Sequence, residues 1–332
     1  MLIRRSAGFT LVELMVSAAA MAIVIYFTLQ SFTVQHQTYT VVDQVSETQQ
    51  NSRAIASMIE RDLRGSGYLI PAEAAVCGAD HTNAPDILVV SDTDAIKQID
   101  QLPNSMQGSD LSVSTTTAPA TGVTALSVDS LLIDDEASYK KSPSSSVLDS
   151  DFRQGAGAIV IDLANPQRGV ACGQITAVGS STVSVDFDTP PLNSSTGTSV
   201  PDYRVVPAHY YKVNTTTNPP QIERDGVILA KDVEDLQVAW FYDANHDGQA
   251  TGNEYAGDDA ANTYSTDDVD GSDLREVRFH VVVATRDDDP RNPDGAGTGQ
   301  VRENRDPGTV SSDDGRRRRV YTSTVRIRNN SL

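Results

Sequence analysis

The chain is poor in basic residues and lacks the common catalytic motifs. It holds 26 Lys and Arg against 45 Asp and Glu in 332 residues, a formal net charge of −19. Nucleic-acid binding relies on clustered Lys and Arg that contact phosphates, so we expect no nucleic-acid partner. The five histidines are isolated in the sequence, and Gly-x-Ser-x-Gly, His-Glu-x-x-His and phosphate-loop motifs are missing. We therefore predict that the chain is not an enzyme, although the abundant acids leave a carboxylate-pair hydrolase as an alternative.

Cysteine is scarce as well, with Cys77 and Cys172 the two present. Both follow a predicted membrane span, in a part of the chain expected outside the cytoplasm, where disulfides persist. With no third thiol, one Cys77–Cys172 disulfide is the simplest interpretation, and two separate reduced thiols are the alternative. Closing a loop of about 95 residues would stabilise the fold by ~4 to 5 kcal/mol in the chain-entropy model.

An apolar run over residues 9–29 follows a short basic leader and carries one charge, Glu13. At about 1.5 Å per residue a helical run of this length reaches about 30 Å, the hydrocarbon thickness of a bilayer. Arg4 and Arg5 before it keep its start on the cytoplasmic side. A carboxylate inside a membrane segment costs roughly 2.5 to 3.5 kcal/mol, so Glu13 is expected to have a partner or a task. The small residue Gly8 precedes the run, whereas a signal-peptide cleavage site would follow it.

The segment Gly8-Phe9-Thr10-Leu11-Val12-Glu13 resembles the class III leader of type IV pilins and pseudopilins. The resemblance implies that a prepilin peptidase cuts between Gly8 and Phe9, that Phe9 becomes an N-methylated first residue, and that Glu13 becomes the fifth. In a lipid-free filament core, the terminal amine of a neighbouring subunit can neutralise Glu13. Losing either charge would leave the other buried, at a cost of ~3 to 5 kcal/mol. An uncleaved signal anchor is the alternative.

The amphipathic pattern beyond residue 29 predicts one helix from about residue 9 to residue 64, which ends at Gly65-Ser66-Gly67. Residues at spacings of three, four or seven define its packing face: Val34, Val41, Val45, Ser52, Ile55, Ile59 and Leu63. We expect residues 1–8 to be the leader, 9–30 the membrane and filament-core half, and 31–65 the half that packs on a soluble domain. A coiled-coil stalk is the alternative, but a strict apolar heptad is not sustained.

The remaining sequence indicates β-structure. Short β-branched runs between turn residues predict strands over 86–90, 157–162, 173–178, 181–187, 203–213, 227–230, 236–242, 274–285 and 319–328. Residues 66–201 are expected to form a β-rich insert, a meander or small barrel with long loops over 100–151. Residues 202–332 are expected to form a β-sheet domain in which the last two strands pair as a hairpin at the edge. The predicted fold class is therefore α+β, a long N-terminal pilin helix packed on an antiparallel β-sheet C-terminal domain, with a β-rich insertion.

A run of four arginines, 316–319, stands at the start of the last predicted strand. Such a run can form a membrane or nucleic-acid patch. Because it follows Asp313 and Asp314 in an acidic domain, we expect it instead to neutralise nearby carboxylates at the entry to the strand.

The carboxyl-terminal third looks like the PilW-type minor pilins. The resemblance rests on Tyr210-Tyr211-Lys-Val, Ile222-Glu-Arg224, Leu229–Asp243 and Tyr321–Asn329, and residues 71–201 lie outside it, as a lineage-specific insertion would. It implies an inner-membrane single-pass precursor that enters a type IV pilus, where minor pilins prime assembly. The implied partners are other minor pilins, the major pilin and a tip adhesin. A minor pseudopilin of a type II secretion system and a membrane-anchored calcium-dependent adhesin are the alternatives.

Residues 243–254 fit the calcium-loop pattern D-x-[DN]-x-[DN]-G-x₅-E at every specified position. Ca²⁺ takes 6 to 8 oxygen ligands, and the predicted set is Asp243, Asn245, Asp247, Gln249, Thr251 and Glu254. A strand precedes the loop where an EF-hand has a helix, so Asp258, Asp259 or Asp268 are alternatives to Glu254. Residues 232–273 hold twelve acids and neither Lys nor Arg, a repulsion that a cation would relieve. A solvated polar turn is the alternative.

Overall fold

The computed structural model describes residues 10–68, 70–81, 84–92, 94–95, 112–131, 150–189, 191–193, 199–243, 247, 255–256, 271–289 and 315–327. Within these residues one long helix packs on two antiparallel β-sheets, so the predicted α+β class is confirmed.

The helix α1 runs over Leu11–Gly65, close to the predicted span. Thr10 caps its start with a side chain that accepts from the Glu13 N–H. At its end Ser66 donates its backbone N–H to the Leu63 carbonyl, and Gly67 follows with a φ of 74°, a conformation that favours glycine. The buried residues of α1 all lie in its second half: Thr48, Ser52, Ile55, Ala56, Ile59, Asp62 and Leu63. The amphipathic half is therefore the part that packs.

The first sheet contains ten strands. They are β1 (Val76–Ala79), β2 (Ile87–Val90), β3 (Val113–Thr115), β4 (Gly122–Ser127), β5 (Gly157–Asp162), β6 (Val170–Val178), β7 (Thr182–Phe187), β8 (Tyr203–Asn214), β9 (Gln221–Arg224) and β10 (Val227–Lys231). The strand order is β1-β2-β8-β5-β6-β7-β4, with β3 also paired to β8, and with β9 joining β8 to β10. A bridge between Thr115 and Val128 brings the end of β3 to the end of β4. The strands β8-β5-β6-β7-β4-β3 thus close into a small barrel.

The strand β8 belongs to two parts of the molecule. Its first residues pair with β3 and β5 inside the barrel, and its last residues pair with β2 and β9 outside it. The sequence predicts a boundary between the insert and the β-sheet domain at residues 201 and 202. The strand β8 begins just after this boundary, yet it is a central strand of the barrel, whose other strands all come from residues before the boundary.

The second sheet has the order β12-β11-β13-β14. Its strands are β11 (Val233–Tyr242), β12 (Tyr255–Ala256), β13 (Leu274–Ala284) and β14 (Arg318–Arg326). On β13 the alternate residues Val277, Phe279, Val281 and Val283 are buried. The strands β13 and β14 pair antiparallel from Glu276 opposite Arg326 to Ala284 opposite Arg318, as the sequence predicts.

Two hydrophobic cores hold these layers together. One fills the barrel and includes Leu126, Ile159 and Val185. The other lies between α1, the second sheet and the adjoining part of the first sheet, and includes Ile59, Leu88, Tyr211, Trp240 and Phe279. The helix therefore shares a core with both sheets.

The two sheets approach each other closely at Trp240. A Cβ at Gly78 of β1 would lie 2.5 Å from Trp240 Cζ2, so only glycine allows this contact. Beside it, Asp86 accepts from the Val238 N–H at 2.8 Å, and its own N–H donates to the Leu236 carbonyl at 2.8 Å. Burial raises the pKa of Asp86 to about 8. The backbone N–H groups of His81 and Val238, which donate to the carboxylate, lower the pKa but do not offset the effect of burial. Asp86 thus joins the loop before β2 to β11.

Candidate assembly surface and helix junction

The first half of α1 is an exposed apolar surface. Its large side chains from Leu11 to Val34 are uncovered in the single chain. The helix is long and apolar enough to cross a membrane, by length and composition. This half therefore needs lipid or other helices around it.

Glu13 lies near the start of that surface and is held by its own helix. Its Oε2 accepts from Thr10 N at 2.9 Å and from Thr10 Oγ1 at 2.8 Å, while the Glu13 N–H donates to Thr10 Oγ1. This reciprocal capping box gives the carboxylate two donors within one turn. The predicted cleavage residues Gly8 and Phe9 lie outside the described residues, and the pairing of Glu13 with a neighbouring amine stays a prediction.

The predicted disulfide is present in the structure. Cys77 on β1 and Cys172 on β6 are bonded at 2.03 Å, and both residues are fully buried. The bond therefore ties the barrel to the edge of the first sheet, across 95 residues of sequence.

The second half of α1 is held on the second sheet by polar contacts. Gln44 Nε2 donates to Asp287 Oδ2 at 2.7 Å, and Ser323 Oγ donates to Glu60 Oε1 at 2.6 Å. These bonds lie on either side of the apolar contacts made by Ile55 and Ile59. They fix the helix along β13 and β14.

The last turn of α1 is held on the first sheet by Asp62. This carboxylate is fully buried; Tyr211 Oη on β8 donates to its Oδ2, and Arg224 Nη2 on β9 lies 2.7 Å from the same oxygen. Arg61, which is largely exposed, donates to Oδ1. Burial, with the nearby Asp62 charge, raises the pKa of Tyr211 above its usual range, so Tyr211 is a neutral donor. Burial opposes the charge of Arg224, but Tyr211 and Asp62 outweigh it and raise its pKa, so this cation stays charged.

His209, two residues before Tyr211, is buried between two carboxylates. Its Nδ1 lies 2.7 Å from Asp225 Oδ2, and its Nε2 lies 3.2 Å from Asp92 Oδ1. Burial opposes protonation, but the bonds to Asp225 and Asp92 outweigh it and raise the pKa of His209 to about 9. The sequence shows this histidine as isolated; the fold brings together acids that are distant along the chain, so the imidazolium is a structural cation.

Two of the predicted calcium ligands fall in the described residues. Asp243 is buried and forms an ion pair with Arg275, whose Nε lies 3.2 Å from Asp243 Oδ2, and Asp247 is exposed. The other four, Asn245, Gln249, Thr251 and Glu254, lie outside the described residues, as do the alternatives Asp258, Asp259 and Asp268. Among the residues that the structure describes, no group of three or more His, Cys, Asp or Glu is placed to hold a metal ion. Calcium binding therefore stays a prediction.

Three arginines of the run, Arg316, Arg317 and Arg318, meet carboxylates, as predicted, but these carboxylates are distant in sequence. Arg318 reaches Glu234 through two bonds, Nε to Oε2 at 2.6 Å and Nη2 to Oε1 at 3.0 Å. Arg316 contacts the same carboxylate and Asp232, and Arg317 pairs with Asp289. The expected neighbours Asp313 and Asp314 lie outside the described residues.

Comparison with known proteins finds two family models that match parts of the chain. The model for type IV pilus-assembly protein W (PilW) matches residues 208–329, and the prokaryotic N-terminal methylation motif matches residues 3–25. The chain thus carries a prepilin-type start and a PilW-type carboxyl-terminal region. The PilW match contains Tyr211 and Arg224, the two partners of Asp62 on the first sheet, as well as the whole second sheet. The methylation motif contains Gly8, Phe9 and Glu13.

One solved structure, a type IV-like pilin from Thermus thermophilus, aligns at 12% identity over 53% of this chain and 86% of its own, with a TM-score of 0.22. A search of the curated proteins found no match.

The two matches agree with the general character that the sequence predicts. The matched family is one of structural pilus components and not of enzymes. The methylation motif and apolar helix of the chain are those of an inner-membrane precursor that a prepilin peptidase processes and that is then incorporated into the pilus.

Proposed function

We propose that this PilW-type pilin is a minor subunit of the priming and tip complex that initiates type IV pilus assembly, together with other minor pilins and the major pilin, and that it supports a tip adhesin. The observation that carries the proposal is the closed barrel added to the PilW domain. A subunit in the shaft must fit between neighbours on every side, whereas the distal end imposes no such limit. A subunit that carries this bulky barrel is therefore more easily accommodated at the distal end of the pilus than in the shaft.

The attachment of the barrel supports this position. The disulfide Cys77–Cys172 and the shared strand β8 join the barrel to the part of the molecule that holds α1. The barrel is therefore carried wherever the helix is anchored, and it is expected to project as one unit with the PilW domain.

The exposed half of α1 supports incorporation through helix packing. Its uncovered apolar side chains would pass from lipid to the helices of neighbouring subunits. Glu13 would exchange one of its capping bonds to Thr10 for the terminal amine of a neighbour.

The test places a label on the barrel. Val123 on β4 is exposed, and the two native cysteines form the disulfide, so Val123→Cys would provide a single reactive thiol. We expect gold directed to a biotin on this cysteine to mark pilus ends in electron micrographs, and deletion of the gene to reduce the number of pili. The chain without the added cysteine controls for background labelling.

The other outcomes separate the alternatives. Gold along the shaft would contradict the tip position, and normal piliation in the deletion strain would contradict priming. A secretion defect with normal piliation would favour a pseudopilus of a type II secretion system. Surface display in a strain that lacks prepilin peptidase, with Met1 retained, would favour an anchored adhesin.

We also propose that residues 243–254 bind Ca²⁺ through the predicted oxygen ligands. The support is the sequence pattern and the excess of acids around it. Arg275 already neutralises part of the charge of Asp243, so the remaining ligands would carry most of the affinity.

A further inference from the structure

Polar contacts form a closed path around the last turn of α1. From the helix, Asp62 reaches Tyr211 on β8 and Arg224 on β9. The next residue after Arg224, Asp225, contacts His209 and accepts from the Tyr210 N–H. The other ring nitrogen of His209 contacts Asp92. Ser91, the residue before Asp92, accepts at its carbonyl from the Gly67 N–H at 3.2 Å, just beyond the end of the helix. We call Asp62, Tyr211, Arg224, Asp225, His209 and Asp92 the junction network.

The junction network lies where a helix is least stable by itself. The last carbonyls of a helix have no partners within the helix, and opening starts at its ends. Ser66 satisfies the Leu63 carbonyl through its N–H and its hydroxyl, and Gly67 then turns the chain away. Asp62 adds a side-chain attachment one residue before Leu63, and Tyr211 and Arg224, which it contacts, lie on strands more than 140 residues later in the sequence.

We propose that Asp62 is a positioning residue for pilus assembly, which holds the last turn of α1 on β8 and β9 while the first half of the helix is drawn into the filament. The helix connects the filament core to the β-domain, so a pull on its first half is transmitted through this turn. The proposal rests on incorporation into a pilus, which the methylation motif and the PilW match support, and not on the tip position.

The charges of Asp62 and Arg224 hold the last turn of α1 in a way that apolar contacts alone do not. Arg224 is mostly buried, and its nearest carboxylate is that of Asp62. The carboxylate of Asp62 is fully buried, so separating it from Arg224 inside the fold is strongly unfavourable. The apolar contacts of Leu63 and Ile59 have no fixed direction, whereas the hydrogen bond from Tyr211 to Asp62 has one.

The first measurement is amide hydrogen exchange on the full chain purified in detergent. We expect Asp62→Asn to speed the exchange of amides 61–65 by at least about tenfold, while amides 52–58 stay as in the wild type because the second sheet holds them. The double variant Asp62→Asn/Arg224→Gln removes the leftover buried cation and keeps the test valid if the single variant folds poorly. The control is Arg61→Gln, which removes an exposed partner of Asp62 and is expected to change exchange little.

The second measurement is the amount of each variant in sheared pili relative to its amount in the membrane. We expect this ratio to fall several-fold for Asp62→Asn and for the double variant and to stay at the wild-type value for Arg61→Gln. If Asp62 were needed only for folding, the double variant would regain both its melting temperature and its incorporation into pili relative to Asp62→Asn.

Each result supports or overturns the proposal. Unchanged exchange at residues 61–65 in both Asp62 variants would show that the junction does not hold the turn. Faster exchange with wild-type incorporation would show that assembly does not need it. Gold labelling along the shaft would contradict the tip proposal alone, because the exchange and incorporation measurements do not depend on where in the pilus the subunit lies.

Discussion

Raising the pH from 6.5 to 9 is expected to destabilise the β-domain through His209. Burial opposes its charge, but Asp225 and Asp92 raise its pKa to about 9, above the ordinary value of about 6.5. Between these values the folded chain binds one more proton than the unfolded chain, so the free energy of unfolding falls as the pH rises. The stabilisation is complete below pH 6.5, amounts to roughly 3 kcal/mol, and is lost as the pH passes through about 9. Asp86, whose pKa burial raises to about 8, acts in the same direction over the lower part of this range.

The measurement is chemical unfolding of the full oxidised chain in detergent at pH 6.5, 7.5 and 9. His209→Gln removes the titrating group, so the variant should start less stable and lose less stability than the wild type across this range. His280→Gln is the matched control, because that histidine lies beside Thr322 on the outer face of the second sheet. An equal loss in the wild type and in His209→Gln would refute the assignment of the pH dependence to the junction network.

Three further predictions concern other parts of the molecule. Replacing Cys77 and Cys172 by serine should lower the free energy of unfolding by ~4 to 5 kcal/mol, measured against the oxidised wild type by denaturant titration. Isothermal titration with Ca²⁺ should give heat for the wild type and a weaker response for Asp247→Ala, and no heat in either would remove the calcium proposal. Gly78→Ala should cost about 1 to 3 kcal/mol by thermal melting, because its Cβ would overlap Trp240, and a wild-type melting temperature would contradict the tight contact between the sheets.

Features that depend on local sequence were predictable. The apolar run, the amphipathic pattern after it and the glycines after residue 64 determine a single helix, and its observed bounds differ from the prediction by one or two residues. Strands rich in Val and Ile, such as β5 and β13, appear where the β-branched runs predict them. The cysteine pairing needed no geometry, since the sequence offers one pair.

Features that depend on residues distant in the sequence could not be predicted. The strands β3 and β4 consist largely of Ser, Thr, Ala and Gly, and they form because pairing with β8 and β7 compensates for a weak local preference. His209 has no charged neighbour in sequence, so its setting becomes visible only when β8, β9 and the segment after β2 meet. The fully buried Asp62 likewise looks like a surface helix residue until Tyr211 and Arg224 lie beside it.

The arginine run 316–319 can act through specific ion pairs or through its total charge, and two neighbouring substitutions distinguish these roles. The Arg318 side chain is 7% exposed and makes two bonds to Glu234, whereas its neighbour Arg319 is exposed. Arg318→Met keeps much of the side-chain volume, and the contact that remains to Glu234 among the described residues is the longer one from Arg316, 3.4 Å from Oε1. We expect a loss of about 2 to 3 kcal/mol by denaturant titration, since a mostly buried carboxylate loses its main partner.

Arg319→Met removes the same charge at the next position and should change the free energy of unfolding by no more than about 0.5 kcal/mol, as exposed substitutions usually do. The cost of Arg318→Met should also persist in 1 M salt, because buried pairs are screened less than exposed ones. Equal effects of the two substitutions, both abolished by salt, would mean that the run acts as an exposed basic patch. That behaviour is what binding to an anionic membrane surface requires, and it would overturn the assignment of Arg318 to Glu234 on β11.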